Sequence, residues 1–109
     1  MVQKEHPALT ELVDWLATQH PGLRTYKTFQ EKALELSSTD TSHRALYRLL
    51  AGLAGHYVTV FDEEPLPVDV AQKAYDVFFR LVEEGEGSLH GSTEQQLRVL
   101  NRIAAAELF

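Results

Sequence analysis

TSHRALYRLLAGLAGHYVTVF, residues 41–61, is the stretch that decides the fold. At 100° per residue, Leu46, Leu49, Leu50, Leu53, Tyr57, Val60 and Phe61 fall within an arc of about 120°, the pattern of one amphipathic helix. The opposite side carries Ala51, Gly52 and Gly55. A glycine inside a helix costs about 1 kcal/mol relative to alanine, so close approach of a neighbour is the expected compensation. A rival reading stops the helix at Gly55 and makes 57–61 a strand, because Val58, Thr59 and Val60 are β-branched. A lone strand needs a partner, and no other stretch offers one. The segment reads as helix.

Working outward gives four more helices. The first is expected from Pro7 to about His20, with Leu9, Leu12, Val13 and Leu16 on one stripe and Pro21-Gly22 as its stop. A second spans about 25–37, with Tyr26, Phe29, Ala33 and Leu36 on its apolar side, and the polar run 37–42 is a loop supplying N-caps. Downstream, Pro65 and Pro67 break the chain. Asp69 and Gln72 then suggest a capping box for a fourth helix ending at Gly85. Its apolar residues, from Val70 to Val82, fill an arc of about 200°, twice the usual minimum for a surface helix. The stretch 85–91 reads as a flexible connector. Ser92 and Gln95 form a second capping box, and Leu97, Leu100, Ala104 and Leu108 line the fifth helix, with Val99 and Ile103 on a flank. The expectation is an all-α, compact bundle of four to five helices in a single domain, residues 1–109. The third and fourth helices form its central antiparallel pair.

Charge is distributed unevenly. Over 1–61, six basic residues balance six acidic ones, whereas over 62–86 eight carboxylates face only Lys73 and Arg80. That quarter carries the whole net charge of −6. A localised negative field can select a basic partner. Glu83 and Glu84, with Glu86 beyond, are placed in the last turn of the fourth helix, and Asp62, Glu63 and Glu64 follow the third; both positions oppose the helix dipole. An extended acidic face including Asp69 and Asp76 is expected between them.

No motif names a chemistry. Cysteine is absent, which excludes disulfides and thiolate metal sites. His6, His20, His43, His56 and His90 are scattered without HExxH or HxxxH spacing, and Glu86/His90 is interrupted by glycines, so no metal or other cofactor is expected. There is no GxSxG and no phosphate-binding glycine loop. Arg44/Arg48 and Arg98/Arg102 are only pairs in an acidic chain, which argues against nucleic acid. MVQKEHPALTEL lacks the apolar core of a secretory signal and no run approaches a membrane span, so a cytoplasmic protein is expected.

The leading functional expectation is therefore a non-enzymatic protein–protein interaction module: a small acidic adaptor, regulator or inhibitor whose partner is basic. Its binding face would comprise Asp62, Glu63, Glu64, Asp69, Asp76, Glu83, Glu84 and Glu86. The over-wide apolar arc further suggests a homodimer through Tyr75, Phe79, Val99 and Ile103. The alternative is a small helical enzyme or ligand-binding protein with an inter-helix pocket near His56 and Tyr57.

Overall fold

Residues 57–61 are helical. In a computed structural model, which describes residues 7–62 and 66–108, the third helix runs unbroken from Arg44 to Phe61. The order is α1 (Pro7–Ala17), α2 (Leu23–Thr39), a 3-10 turn (Thr41–His43), α3 (Arg44–Phe61), α4 (Val68–Ser88) and α5 (Thr93–Ala105). Among the described residues there is no strand, and the fold is an all-α bundle.

The buried face of α3 is not the leucine-rich one. It comprises Leu46, Tyr47, Leu50, Ala51, Ala54 and Tyr57, an arc turned by roughly 65° from the leucine arc. Small residues account for the rotation. Ala51 and Ala54, with Ala33 and Ser37 of α2, let two backbones approach closely. The two helices form an antiparallel hairpin: the Arg44 Nε donates to the Ser37 carbonyl at 3.1 Å at the closed end. Further along, the Tyr26 and Tyr57 rings stack at 4.0 Å. Gly55 faces α2 as well, and the Gln30 amide fills the space a Cβ there would take. Gly52, by contrast, faces open space. The intimate central pair is thus α2 with α3, and the assignment of that role to α3 with α4 is corrected: their backbones stay farther apart.

α4 lies across this hairpin on bulky side chains. Phe78, fully buried, sits 5.1 Å from the Tyr26 ring and 4.8 Å from Phe29, and Tyr75 meets Tyr26 edge-on at 6.3 Å. Burying each such ring stabilises the fold by about 1.5–3 kcal/mol. On one flank α1 is tied down by the Tyr75 hydroxyl, which donates to the Leu16 carbonyl, and by Thr10 Oγ1, which donates to Glu86 at 3.0 Å. On the other, α5 is held by Arg102 donating to Glu84 at 2.8 Å. These three neighbours cover most of the 200° arc, leaving Val70 and Val77 exposed at its edge.

Other local expectations fail as well. Gly85 does not end α4, because it is where Leu46 of α3 comes closest: a Cβ there would lie 3.0 Å from Leu46 Cδ1. The helix continues to Ser88, whose hydroxyl donates to the Gly85 carbonyl at 2.7 Å. The stretch 85–91 is therefore one more helical turn followed by a short turn. Nor do Asp69 and Gln72 form a capping box: Pro67 occupies the N-cap, and the Gln72 amide donates forward to Asp76 at 2.9 Å. α1 is also shorter than expected, ending at Ala17. The Ser92–Gln95 capping box is present with both of its bonds.

Candidate interaction surface

The extra turn of α4 changes the meaning of its carboxylates. Glu83 and Glu84 sit a turn short of the helix end rather than in it, so the dipole opposes them less than expected. Glu84 is engaged by Arg102, and Glu86 accepts from Thr10 and lies 4.0 Å from His90 Nε2. Asp62 is exposed, with Lys27 Nζ at 3.9 Å. Glu63 and Glu64 lie outside the described residues.

What remains is ordered. Asp69, Asp76 and Glu83 are all exposed and recur at seven-residue intervals, which places them on one outward stripe of α4. At 1.5 Å per residue they stand about 10 Å apart along the axis. Asp69 also lies in the first turn, where the dipole favours it. Val70 and Val77, again seven apart, keep 38% and 39% exposure but lie about 100° round the helix from that stripe. They lie on the side of α4 that α5, at only 13 residues, is too short to cover along its whole length. Lys73 and Arg80, exposed and four residues after Asp69 and Asp76, lie between the acidic stripe and the valines.

The residues expected at a dimer contact divide. Tyr75 and Ile103 are buried in the chain's own core, at 7% and 2% exposure. Phe79 and Val99 are half-buried and packed against that core. Phe79 follows Tyr75 by one helical turn and precedes Glu86 by two, so it belongs to the flank that faces α1. On α5 the inward face centres on Ile103, leaving Leu97 outside at 56% exposure.

His56 and Tyr57 are separated. Tyr57 is buried, stacked on Tyr26, and burial pushes its hydroxyl pKa up. His56 instead lines an open groove of about 290 Å³ with Leu53, Ala106, Glu107 and Leu108. Tyr57 is not among the residues that line this groove. Among the described residues no three His, Asp or Glu side chains come together as metal ligands. The arginine pairs are dispersed too: Arg98 lies 3.8 Å from Glu94, Arg102 is on Glu84, and Arg44 is on a backbone carbonyl. No helix among the described residues is long and apolar enough to cross a membrane.

A polar network that the sequence reading did not single out closes the α2–α3 turn. Asp40 Oδ2 accepts from the Tyr47 hydroxyl at 2.9 Å and sits 3.0 Å from His43 Nδ1. Burial, then the hydrogen bond to Asp40, pushes the Tyr47 pKa well up. The signal was the spacing of an acid at the helix end, a histidine three later and a tyrosine seven later, all on one side of the turn. Its evident effect is to lock the hairpin. Compared with known protein families, with curated proteins and with solved structures, the chain matches none of them.

Proposed function

We propose that this chain is a non-enzymatic, cytoplasmic interaction module that docks a basic amphipathic helix of another protein along the outward face of α4. The observation that carries the proposal is the exposed heptad stripe of Asp69, Asp76 and Glu83, with exposed Val70 and Val77 at the far edge of the same outer side, beyond Lys73 and Arg80. A helix lying along α4 meets the same stripe once per heptad, so cations of a partner would meet the carboxylates. Apolar residues of that partner would have to reach past Lys73 and Arg80 to cover the valines. Lys73 and Arg80 add selectivity, since a partner must place its own cations away from them. A second copy of the chain is the weaker occupant. Two copies each carrying −6 repel along an acidic stripe, and Tyr75 and Ile103 are already spent inside the fold.

The test is affinity capture from native extract with the parent chain and with Asp69→Asn/Asp76→Asn/Glu83→Gln, at low and high salt. The proposal expects one basic protein held by the parent at low salt, released by added salt and not held by the variant. Equal capture by both chains refutes it. So does a parent chain that runs as a dimer whose interface, mapped by crosslinking, covers Val70 and Val77.

A further inference from the structure

A second surface lies between α1 and α2. The two helices leave an open groove of about 230 Å³, lined by Glu11, Leu12 and Trp15 on one side and Lys32, Glu35 and Leu36 on the other. Trp15 is the chain's one tryptophan and is half-buried, so part of its ring faces the groove rather than the core. The Lys32 ammonium stands over that ring, 5.2 Å from its centroid. The groove therefore already holds a cation, supplied by the protein itself.

An indole face attracts positive charge through its quadrupole. Two carboxylates, Glu11 and Glu35, approach the same groove from opposite walls. An ammonium is a poor match for this combination, because it is a compact and strongly hydrated point charge. A guanidinium is planar and more weakly hydrated. It can stack flat on the indole while directing paired N–H donors to a carboxylate. We infer that the α1–α2 groove is a receptor for an arginine side chain of a partner, with Lys32 as a tethered placeholder that the arginine displaces. The inference does not rest on the α4 face and survives its failure.

Trp15 reports on its own site. An acetylated, amidated tetrapeptide with two arginines, titrated to tens of millimolar, is expected to change Trp15 emission saturably. The same peptide with neutral citrulline in place of arginine is expected to leave it unchanged. Lys32→Gln vacates the ring and should tighten arginine-peptide binding about five-fold. Lys27→Gln makes the same charge change outside the groove and should not. Glu11→Gln and Glu35→Gln should each weaken binding several-fold. Circular dichroism of these exposed-site variants should match the parent. The inference is overturned if emission does not saturate, if the citrulline peptide binds equally, or if the Lys32 and Lys27 variants shift affinity alike.

Discussion

The four tyrosines of this chain do different jobs in the core, and their hydroxyls show it. Tyr75 ties α4 to the end of α1, and Tyr47 ties α3 to the turn before it. Tyr26 is fully buried, and its hydroxyl has no hydrogen-bond partner among the described residues. An unsatisfied buried hydroxyl costs free energy, so Tyr26→Phe should leave stability unchanged or raise it by up to about 1 kcal/mol. Tyr75→Phe should lower it by about 1 kcal/mol, because it removes a made bond. Urea midpoints at constant slope separate the two outcomes. All four hydroxyls have pKa values raised above the ordinary 10.0, chiefly by burial. Above pH 10 the unfolded chain therefore releases protons that the folded chain retains. The stabilisation is complete below that pH and is lost as pH rises past it, by about 1.4 kcal/mol per unit for each tyrosine involved. Tyrosinate absorbance in an alkaline titration should stay low past pH 10 and then rise together with loss of helical signal. A rise centred at pH 10 with the fold intact would contradict this.

At the scale of elements, periodicity made the helices legible but not their faces. Leu49 and Leu53 point to a margin of α3 and Val60 is exposed, while Ala51 and Ala54 point inward. Hydrophobicity ranks leucine first, whereas close packing of two backbones selects small side chains, and sequence alone does not say which governs. The same ambiguity governs the glycines. Gly85 reads as a helix stop yet is a close-contact site, and Gly52 reads as a close-contact site yet faces open space. Gly52→Ala should therefore raise stability by about 0.5–1 kcal/mol through helix propensity. Gly85→Ala should forfeit that gain, because Leu46 must shift to admit the new methyl. The Ser92–Gln95 capping box was fully legible, since its two bonds need only residues three apart. Ser92→Ala should cost about 1 kcal/mol and fray α5 first. Amide exchange rates along 93–97 would detect it. The candidate surface was legible in part. The excess of acid near α4 was plain, but its members were sorted by partners distant in sequence: Thr10 for Glu86 and Arg102 for Glu84.

For the whole molecule, α4 is the element that makes five helices one unit, since it touches α1, α5 and the α2–α3 hairpin. Unfolding should accordingly be a single cooperative transition, with coincident curves by far-UV dichroism and Trp15 fluorescence. Two separated transitions would mean that α1, which carries the tryptophan, detaches from the rest. The inward side of α4 thus builds the fold, and the outward side is the one we propose for a partner. The most direct test of that assignment is amide chemical-shift mapping of the labelled protein titrated with a synthetic amphipathic helix bearing lysines once per heptad. The account predicts salt-sensitive shifts concentrated at residues 69–83 of α4 and abolished by Asp69→Asn/Asp76→Asn/Glu83→Gln. Shifts centred on other helices, or none at low salt, would contradict it.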